Sequence, residues 1–257
     1  MLSSQCMFMK ILVALAYGAM VAVNFLANSL PINNRSTGDI SNAYPNLFAP
    51  AGFTFSIWGV IYLLLGAYIV YAFFQKEKKM ETLYKKINPL FLATSVANIC
   101  WIFAWHYDYI GLSVLIMAAL LVLLIRIADL MRSATYNQTQ QWLVRIPFSV
   151  YFGWITVAAI ANVTVFLVSI GWNGFGISEA LWTSIILVVG ACIGIARLPK
   201  DKQMAYGLVL VWAYFGIFMK HISADGFAGL YTGVIGTVIL CIAAFGYFLF
   251  RMRARTA

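Results

Sequence analysis

Charged residues are scarce in this sequence. Only 10% of its 257 residues are Asp, Glu, Lys or Arg, while 63% are hydrophobic. Soluble domains carry about 25% charged residues, because a surface in contact with water needs them. A chain with so few charges cannot cover a globular domain with polar side chains. The composition therefore excludes a water-soluble fold.

Residues that carry chemistry are also few: four Cys, two His and eight Asp or Glu. The sequence contains no HExxH motif, no GxSxG motif and no glycine-rich phosphate loop. Its Cys and His residues do not recur at metal-ligand spacing, and its Cys residues do not form a disulfide framework. We expect no enzymatic activity, no metal site and no resident cofactor.

Long apolar runs dominate the chain instead. Each run is close to the roughly 20 residues that a helix needs to cross a bilayer. The runs are apolar on all sides, whereas a strand of a membrane barrel alternates apolar and polar residues. We predict an all-α fold, a polytopic transmembrane bundle forming a single membrane domain over residues 1–257. The eight predicted spans are 8–30, 53–75, 88–105, 110–130, 146–170, 179–197, 204–220 and 228–250.

The positive charge follows the predicted topology. If the amino terminus is cytoplasmic, all but two of the 17 Lys and Arg residues lie on the inner side, the exceptions being Arg35 and Lys220. Lys and Arg in short loops set the orientation of membrane helices. We therefore predict a multi-pass protein of the plasma (cytoplasmic) membrane with both termini in the cytoplasm. The basic residues then require no nucleic-acid partner.

The longest predicted connection is the first outer loop, residues 31–52. It mixes Pro, Gly and Asn turn formers with the apolar residues Tyr44, Leu47 and Phe48. A merely solvated connector would not need these apolar side chains. Two interpretations stay open: a loop resting on lipid headgroups, or a lid folded over the outer mouth of the bundle.

Aromatic residues on the second span share one helical face. Phe55, Trp58 and Tyr62 lie at i, i+3 and i+7. Aromatic residues near a membrane surface often form an interfacial belt, but Trp58 and Tyr62 lie one and two turns deeper than Phe53, beyond what such a belt needs. The stripe is explained either by the lining of a pocket or by lipid-facing packing.

The third span carries a similar stripe of Asn98, Trp101 and Trp105. An amide inside hydrocarbon needs a polar partner, so we expect Asn98 to face protein or a cavity. Each stripe alone is also typical of helix packing, because small and amide residues commonly join membrane helices.

The fifth span places Trp154, Ala158 and Asn162 at i, i+4 and i+8. The small Ala158 side chain would leave space beside the Trp154 indole. Three such stripes on three helices together predict a cavity for a ligand.

These segments resemble one known family. The sequence PAGFTFSIWGVIY, the sequence NICWIFAW and the Trp, Ala and Asn stripe of span five resemble the tryptophan-rich sensory protein/translocator protein (TspO/MBR) family over residues 8–172. That family is a five-helix bundle with a pocket for porphyrins or sterols, beneath a lid made by its first long loop. The resemblance implies that the pocket is lined by Trp58, Tyr62, Asn98, Trp101, Trp154 and Ala158.

The chain also departs from the family pattern. Its first outer loop reads YPNLFAPAG, which retains Pro45, Pro50 and Gly52 but lacks the Trp usual in the family's loop. Residues 173–257 add three spans beyond the five of the small members. The resemblance is therefore to a long, eight-span branch, and the identity of the ligand does not follow from it.

Our leading hypothesis is a membrane binding protein, carrier or sensor for a flat hydrophobic molecule such as a tetrapyrrole or sterol-like compound. The alternative is a permease, or a subunit of a transport assembly, in which the last three spans line a path. In that alternative Lys220 and Asp225, beside His221, gate the path. A regulatory partner of another membrane protein is the third hypothesis, and homodimer formation is left open.

Overall fold

The fold is taken from a computed structural model that describes residues 4–30 and 32–254. Pro31, which begins the first outer loop, and Arg255, one of the basic residues assigned to the inner side, lie outside these residues. The described part of the chain is helical and contains no strand. The prediction of an all-α membrane bundle is confirmed.

Ten α-helices follow one another in the described residues. Eight stretches of these helices are long and apolar enough to cross a membrane, which confirms the predicted number of spans. In chain order the helices are α1 (Ser4–Ser29), α2 (Thr37–Ala43), α3 (Ile57–Phe74), α4 (Lys78–His106), α5 (Ile110–Arg132), α6 (Gln138–Gln140), α7 (Ile146–Ser169), α8 (Glu179–Asp201), α9 (Met204–Ile222) and α10 (Thr232–Ala254).

Helix α4 begins ten residues before the predicted start of its span at residue 88. Its first turns carry charged residues, and Glu81 pairs with Lys85 one turn later at 3.2 Å. Opposite charges four residues apart stabilise a helix in water. Hydropathy alone places the start of this span at residue 88, because the residues before it are charged. The helix itself begins at Lys78, and these first turns are suited to the aqueous layer.

The chain divides into two compact units. The first unit comprises Met1–Ile40 and Trp58–Phe152, and the second comprises Ser41–Ile57 and Gly153–Ala257. The first outer loop thus contributes to both units, because its beginning belongs to the first and its end to the second. Helix α7 is likewise divided, between Phe152 and Gly153.

The first unit is built around α4, which packs against α1 and α5. This unit holds an aromatic core in which the rings of Tyr68, Phe91 and Phe148 meet edge to face at 4.9–5.7 Å. The Tyr68 hydroxyl donates to Asn88 Oδ1 at 2.7 Å. Edge-to-face contacts of this kind add to the stabilisation that burial gives.

The second unit packs α8, α9 and α10 against one another. Glycines bring these helices close together: a Cβ on Gly207 would lie 2.7 Å from the Leu249 side chain, and one on Gly194 would lie 2.4 Å from Leu210. Small residues let membrane helices approach until their backbones nearly touch. This unit is therefore held together by close packing.

Candidate functional site

The residues predicted to bind a ligand fall into both compact units. Five belong to the first unit and four to the second. Those of the first unit are Trp58, Tyr62, Asn98, Trp101 and Trp105, and those of the second are Phe55, Trp154, Ala158 and Asn162.

In the first unit, Trp58 and Tyr62 form an aromatic stack on α3. Their ring centroids are 5.5 Å apart and their planes differ by 22°. Tyr151 on α7 meets the Trp58 indole edge to face at 6.0 Å. The helical spacing of Trp58 and Tyr62 produces the stack, while Tyr151 is brought to it by the packing of another helix.

Asn98 contributes an amide to the same region. Its Oδ1 accepts a hydrogen bond of 2.7 Å from Nδ2 of Asn24 on α1, and both side chains are buried. Asn24 Nδ2 also donates to the Met20 carbonyl at 2.8 Å. The prediction that Asn98 faces protein is thus met by an amide pair between α1 and α4.

Three polar atoms in this region are buried without a hydrogen-bond partner in the described part of the chain. They are the hydroxyls of Tyr62 and Tyr151 and Nδ2 of Asn98. Tyr151 lies next to the Asn98 side chain, but the two form no hydrogen bond of ordinary geometry. Buried polar groups in proteins are nearly always paired, so three such atoms in one place make this region the candidate site. We call Trp58, Tyr62, Asn98 and Tyr151 the polar-aromatic cluster.

Trp101 and Trp105 also stack on each other, at 5.3 Å with planes 21° apart. The Trp105 indole N–H donates to the Thr37 carbonyl at 3.2 Å, which attaches the start of α2 to the end of α4. A second attachment comes from Asn33, whose amide donates to the His106 carbonyl at 2.9 Å. Trp105 therefore fastens the beginning of the first outer loop in addition to any contact with a ligand.

In the second unit, two of the predicted residues meet. Phe55 packs edge to face on Trp154 with ring centroids 5.8 Å apart. Trp154 and Asn162 are buried, and Ala158 is half-buried. The short helical turn Gly52–Ser56, which follows the first outer loop, thus brings one predicted ligand residue, Phe55, onto α7.

The three polar residues at the end of α9 have different surroundings. The Lys220 ammonium lies 6.0 Å above the Phe227 ring, and Asp225 is exposed. No ion pair joins Lys220 to Asp225 in the described residues. His221 is fully buried, and its Nε2 is 2.9 Å from the Leu47 carbonyl oxygen. His221 thus contacts the first outer loop.

Sequence reasoning missed two members of this region, Asn24 and Tyr151. Asn24 could have been found, because an amide in the middle of an apolar span needs a partner just as Asn98 does. Tyr151 gives no such signal. Its position beside Trp58 depends on how α7 packs, which no local pattern in the sequence encodes.

A family model described as TSPO-like protein matches residues 10–249 of the chain. The match includes the three C-terminal spans as well as the first five. No curated protein sequence and no solved structure is significantly similar to the chain.

Proposed function

Because this chain belongs to the TSPO-like protein family, we propose that it binds or carries a flat hydrophobic molecule with a polar edge, such as a tetrapyrrole or a sterol-like compound. The chain is a multi-pass membrane protein of that family. The bound molecule and the mode of action are the subject of the proposal.

The polar-aromatic cluster supports the proposal. Stacked rings such as Trp58 and Tyr62 offer a flat apolar surface to another ring system. Beside that surface, the Tyr62 and Tyr151 hydroxyls and the Asn98 amide have hydrogen-bonding capacity that residues 4–30 and 32–254 leave unused. Ligand sites commonly combine an apolar lining with a few convergent polar groups. A planar molecule with a polar edge matches both features.

Titration of the purified protein with a porphyrin, followed by quenching of Trp fluorescence, tests the proposal. We expect Trp58→Ala to weaken binding about tenfold or more, because it removes the stacking surface. Trp154→Ala applies the same test to Trp154, a predicted ligand-binding residue of the second unit. Unchanged affinity in both variants would remove the proposed site.

Hydroxyl deletions give a sharper version of the experiment. Tyr62→Phe and Tyr151→Phe each remove a group that has no hydrogen-bond partner among the residues that the structure describes, so neither should lower thermal stability. Both should weaken porphyrin binding if the hydroxyls contact the ligand. The matched control is Tyr68→Phe, which removes a hydroxyl bonded to Asn88. It should lower stability and leave binding unchanged, and the reverse pattern would contradict the proposal.

Reconstitution into liposomes distinguishes a protein that only binds the ligand from one that transports it. Sealed liposomes containing the protein would accumulate porphyrin in their lumen only if the chain moves it across the bilayer. We propose binding as the primary activity because the unused hydrogen-bonding groups are clustered, whereas Lys220 and Asp225, the residues assigned to a gate, form no ion pair with each other among the described residues.

We propose the plasma membrane as the location, with both termini in the cytoplasm. The distribution of Lys and Arg supports this orientation, since nearly all of them would then lie on the inner side. Reporter fusions at the two ends, one active only in the cytoplasm and the other only outside it, test the proposal. Activity of the outer reporter at either end would contradict it.

A further inference from the structure

Lys10, near the start of helix α1, is buried although its side chain carries a charge. The residue is 3% exposed, whereas the other lysines of the first unit are exposed. A lysine near the end of a membrane helix normally extends its ammonium group to the interface. A buried ammonium group is costly unless an anion accompanies it. The burial of Lys10 therefore points to an anionic partner.

The end of helix α3 gives Lys10 its polar contact within the described residues. Lys10 Nζ donates to the Ala72 carbonyl at 2.5 Å. In a longer helix this carbonyl would accept from the Lys76 backbone N–H, but α3 ends at Phe74 and that N–H donates to Gln75 Oε1 at 2.7 Å. The last carbonyls of a helix carry a partial negative charge, which favours a cation. An ammonium group has three donors, so this contact uses one of them.

No carboxylate among the described residues neutralises Lys10. Its ammonium group takes part in no ion pair there. The acidic residues of the first unit have other partners: Asp39 bonds to Ser36, Glu77 to Gln140, Glu81 to Lys85, Asp108 to Arg35 and Asp129 to Arg132. The Tyr84 ring, with its centroid 5.9 Å from Nζ, adds only a weak cation–π attraction. Most of the Lys10 charge is thus left without compensation.

A small crevice lies beside Lys10, between helices α1, α3 and α4. It encloses about 170 Å³, part of which is open to the surroundings, and Lys10, Tyr68 and Asn88 are among the residues that line it. Asn88 Oδ1 accepts from the Tyr68 hydroxyl at 2.7 Å, whereas Asn88 Nδ2 forms no hydrogen bond in the described residues. Lys10 and Asn88 therefore bring hydrogen-bond donors from two helices to one crevice. Such donors suit an anionic oxygen, above all when one of them is charged.

We propose that Lys10 and Asn88 form a binding site for an anionic phosphate group. Lys10 supplies the charge, and the Asn88 amide supplies a second donor. Two sources share this chemistry, the headgroup of an anionic lipid and inorganic phosphate. A headgroup is close at hand, because Lys10 lies near the end of a membrane-spanning helix and basic pockets between such helices bind lipid headgroups.

The phosphate site is separate from the site of the proposed function. The crevice is smaller than the roughly 300–1,000 Å³ pockets that hold drug-sized molecules, so it suits a few oxygen atoms of a headgroup and not a tetrapyrrole. The residues that line it include none of the polar-aromatic cluster. Failure of porphyrin binding would therefore leave this proposal intact.

Lipid binding to the purified full-length chain in detergent tests the proposal. Native mass spectrometry counts bound phosphatidylglycerol, which is anionic, and phosphatidylcholine, which has no net charge, while the Tm is measured with each lipid and with inorganic phosphate. We expect phosphatidylglycerol to bind saturably, at least about tenfold more tightly than phosphatidylcholine, and to raise the Tm. A rise with phosphatidylglycerol alone identifies a lipid headgroup as the occupant, and an equal rise with inorganic phosphate identifies a soluble anion. No preference over phosphatidylcholine and no effect of phosphate overturn the proposal.

Substitutions of Lys10 separate anion binding from the contact with α3. Lys10→Gln retains an N–H donor for the Ala72 carbonyl but loses the charge, so it should weaken phosphatidylglycerol binding about tenfold. Lys10→Arg retains the charge and should stay within about threefold of wild type. The matched control is Lys85→Gln at an exposed lysine of the same unit, which should change binding less than about twofold. Equal phosphatidylglycerol affinity in wild type and Lys10→Gln would mean that Lys10 only caps α3, and would overturn the proposal.

Asn88→Asp tests the site with Lys10 in place, should the Lys10 variants fail to fold. The new carboxylate still accepts from the Tyr68 hydroxyl, and it supplies an internal anion in the crevice that Lys10 lines. Without added lipid, the Tm should therefore equal or exceed that of wild type. The affinity for phosphatidylglycerol should fall about tenfold, because the carboxylate repels phosphate and occupies Lys10. Unchanged affinity in Asn88→Asp would contradict the placement of the phosphate in this crevice.

Discussion

The two compact units treat their buried tyrosines differently. In the second unit, the buried Tyr214 hydroxyl donates to the Leu187 carbonyl at 2.7 Å, and the buried Tyr206 hydroxyl is bonded to Thr156 at 3.3 Å. In the first unit the buried Tyr68 hydroxyl is also paired, with Asn88, but the hydroxyls of Tyr62, Tyr84 and Tyr151 are buried without a partner in the described residues. An unpaired buried hydroxyl lowers stability.

This difference indicates that the two units have different roles. A unit whose glycines bring helices together and whose tyrosines are paired is suited to act as a rigid scaffold. A unit that keeps three unpaired hydroxyls and an amide donor gives up some stability, which is common at sites that await a ligand. In the second unit, Thr54 Oγ1 and His221 Nδ1 also have no partner among the described residues, and both lie where residues 41–57 contact α9.

The largest expected effect concerns the packing of the second unit. A Cβ on Gly153 would lie 2.9 Å from the backbone carbonyl oxygen of Tyr206 and 3.0 Å from Val209. Because a backbone atom cannot rotate away, Gly153→Ala should destabilise the protein by about 2–3 kcal/mol.

Thermal unfolding in detergent measures this effect. The matched control is Gly236→Ala on α10, where nothing lies within 4 Å of the added methyl group. It should be neutral or slightly stabilising, since alanine favours helices more than glycine does. Equal stability of the two variants would show that α7 and α9 are not closely packed.

The second effect concerns the amide pair of the first unit. Asn24→Leu leaves Asn98 Oδ1 without its donor and should cost about 1–2 kcal/mol. In the double variant Asn24→Leu, Asn98→Leu both polar groups are gone, so stability should recover toward wild type. A double-mutant cycle of unfolding free energies measures the coupling, and simple additivity would show that the pair contributes nothing.

The third effect contrasts single hydroxyls in the two units. Tyr214→Phe removes a donor to the Leu187 carbonyl and should destabilise by about 1 kcal/mol. Tyr84→Phe removes a buried hydroxyl that has no hydrogen-bond partner in the described part of the chain, and it should have no cost, or a small gain. Chemical denaturation of both variants would sharpen the comparison, and a larger loss in Tyr84→Phe would reverse it.

The smallest effect concerns the ion pair at the start of the first outer loop. Arg35 and Asp108 are 2.5 Å apart, but their side chains are 30% and 39% exposed. Partly exposed pairs contribute about 0–1 kcal/mol and are screened by salt. Asp108→Asn should therefore cost less than about 1 kcal/mol at low salt, with a difference from wild type that disappears at high salt. A loss that persists in salt would contradict a screened surface pair.

Local patterns predicted much of this architecture. The eight apolar runs correspond to the eight candidate spans, because hydrocarbon thickness imposes a length that composition reveals directly. Helical periodicity also predicted that Trp58 and Tyr62 share one face of a helix, where the structure shows them stacked. It could not give Tyr151 or Asn24, whose roles depend on contacts between helices far apart in the sequence.

The sequence by itself determined that this protein is a helical membrane protein of the TspO type, because burying a peptide backbone in lipid leaves few alternatives. Only the tertiary structure decided that Asn24 pairs with Asn98, that Trp105 bonds to the start of α2, and that Ala51 and Leu47 contact Gly216 and His221. Each of these contacts joins residues dozens of positions apart. Their formation depends on how helices pack, and that is a property of the whole fold.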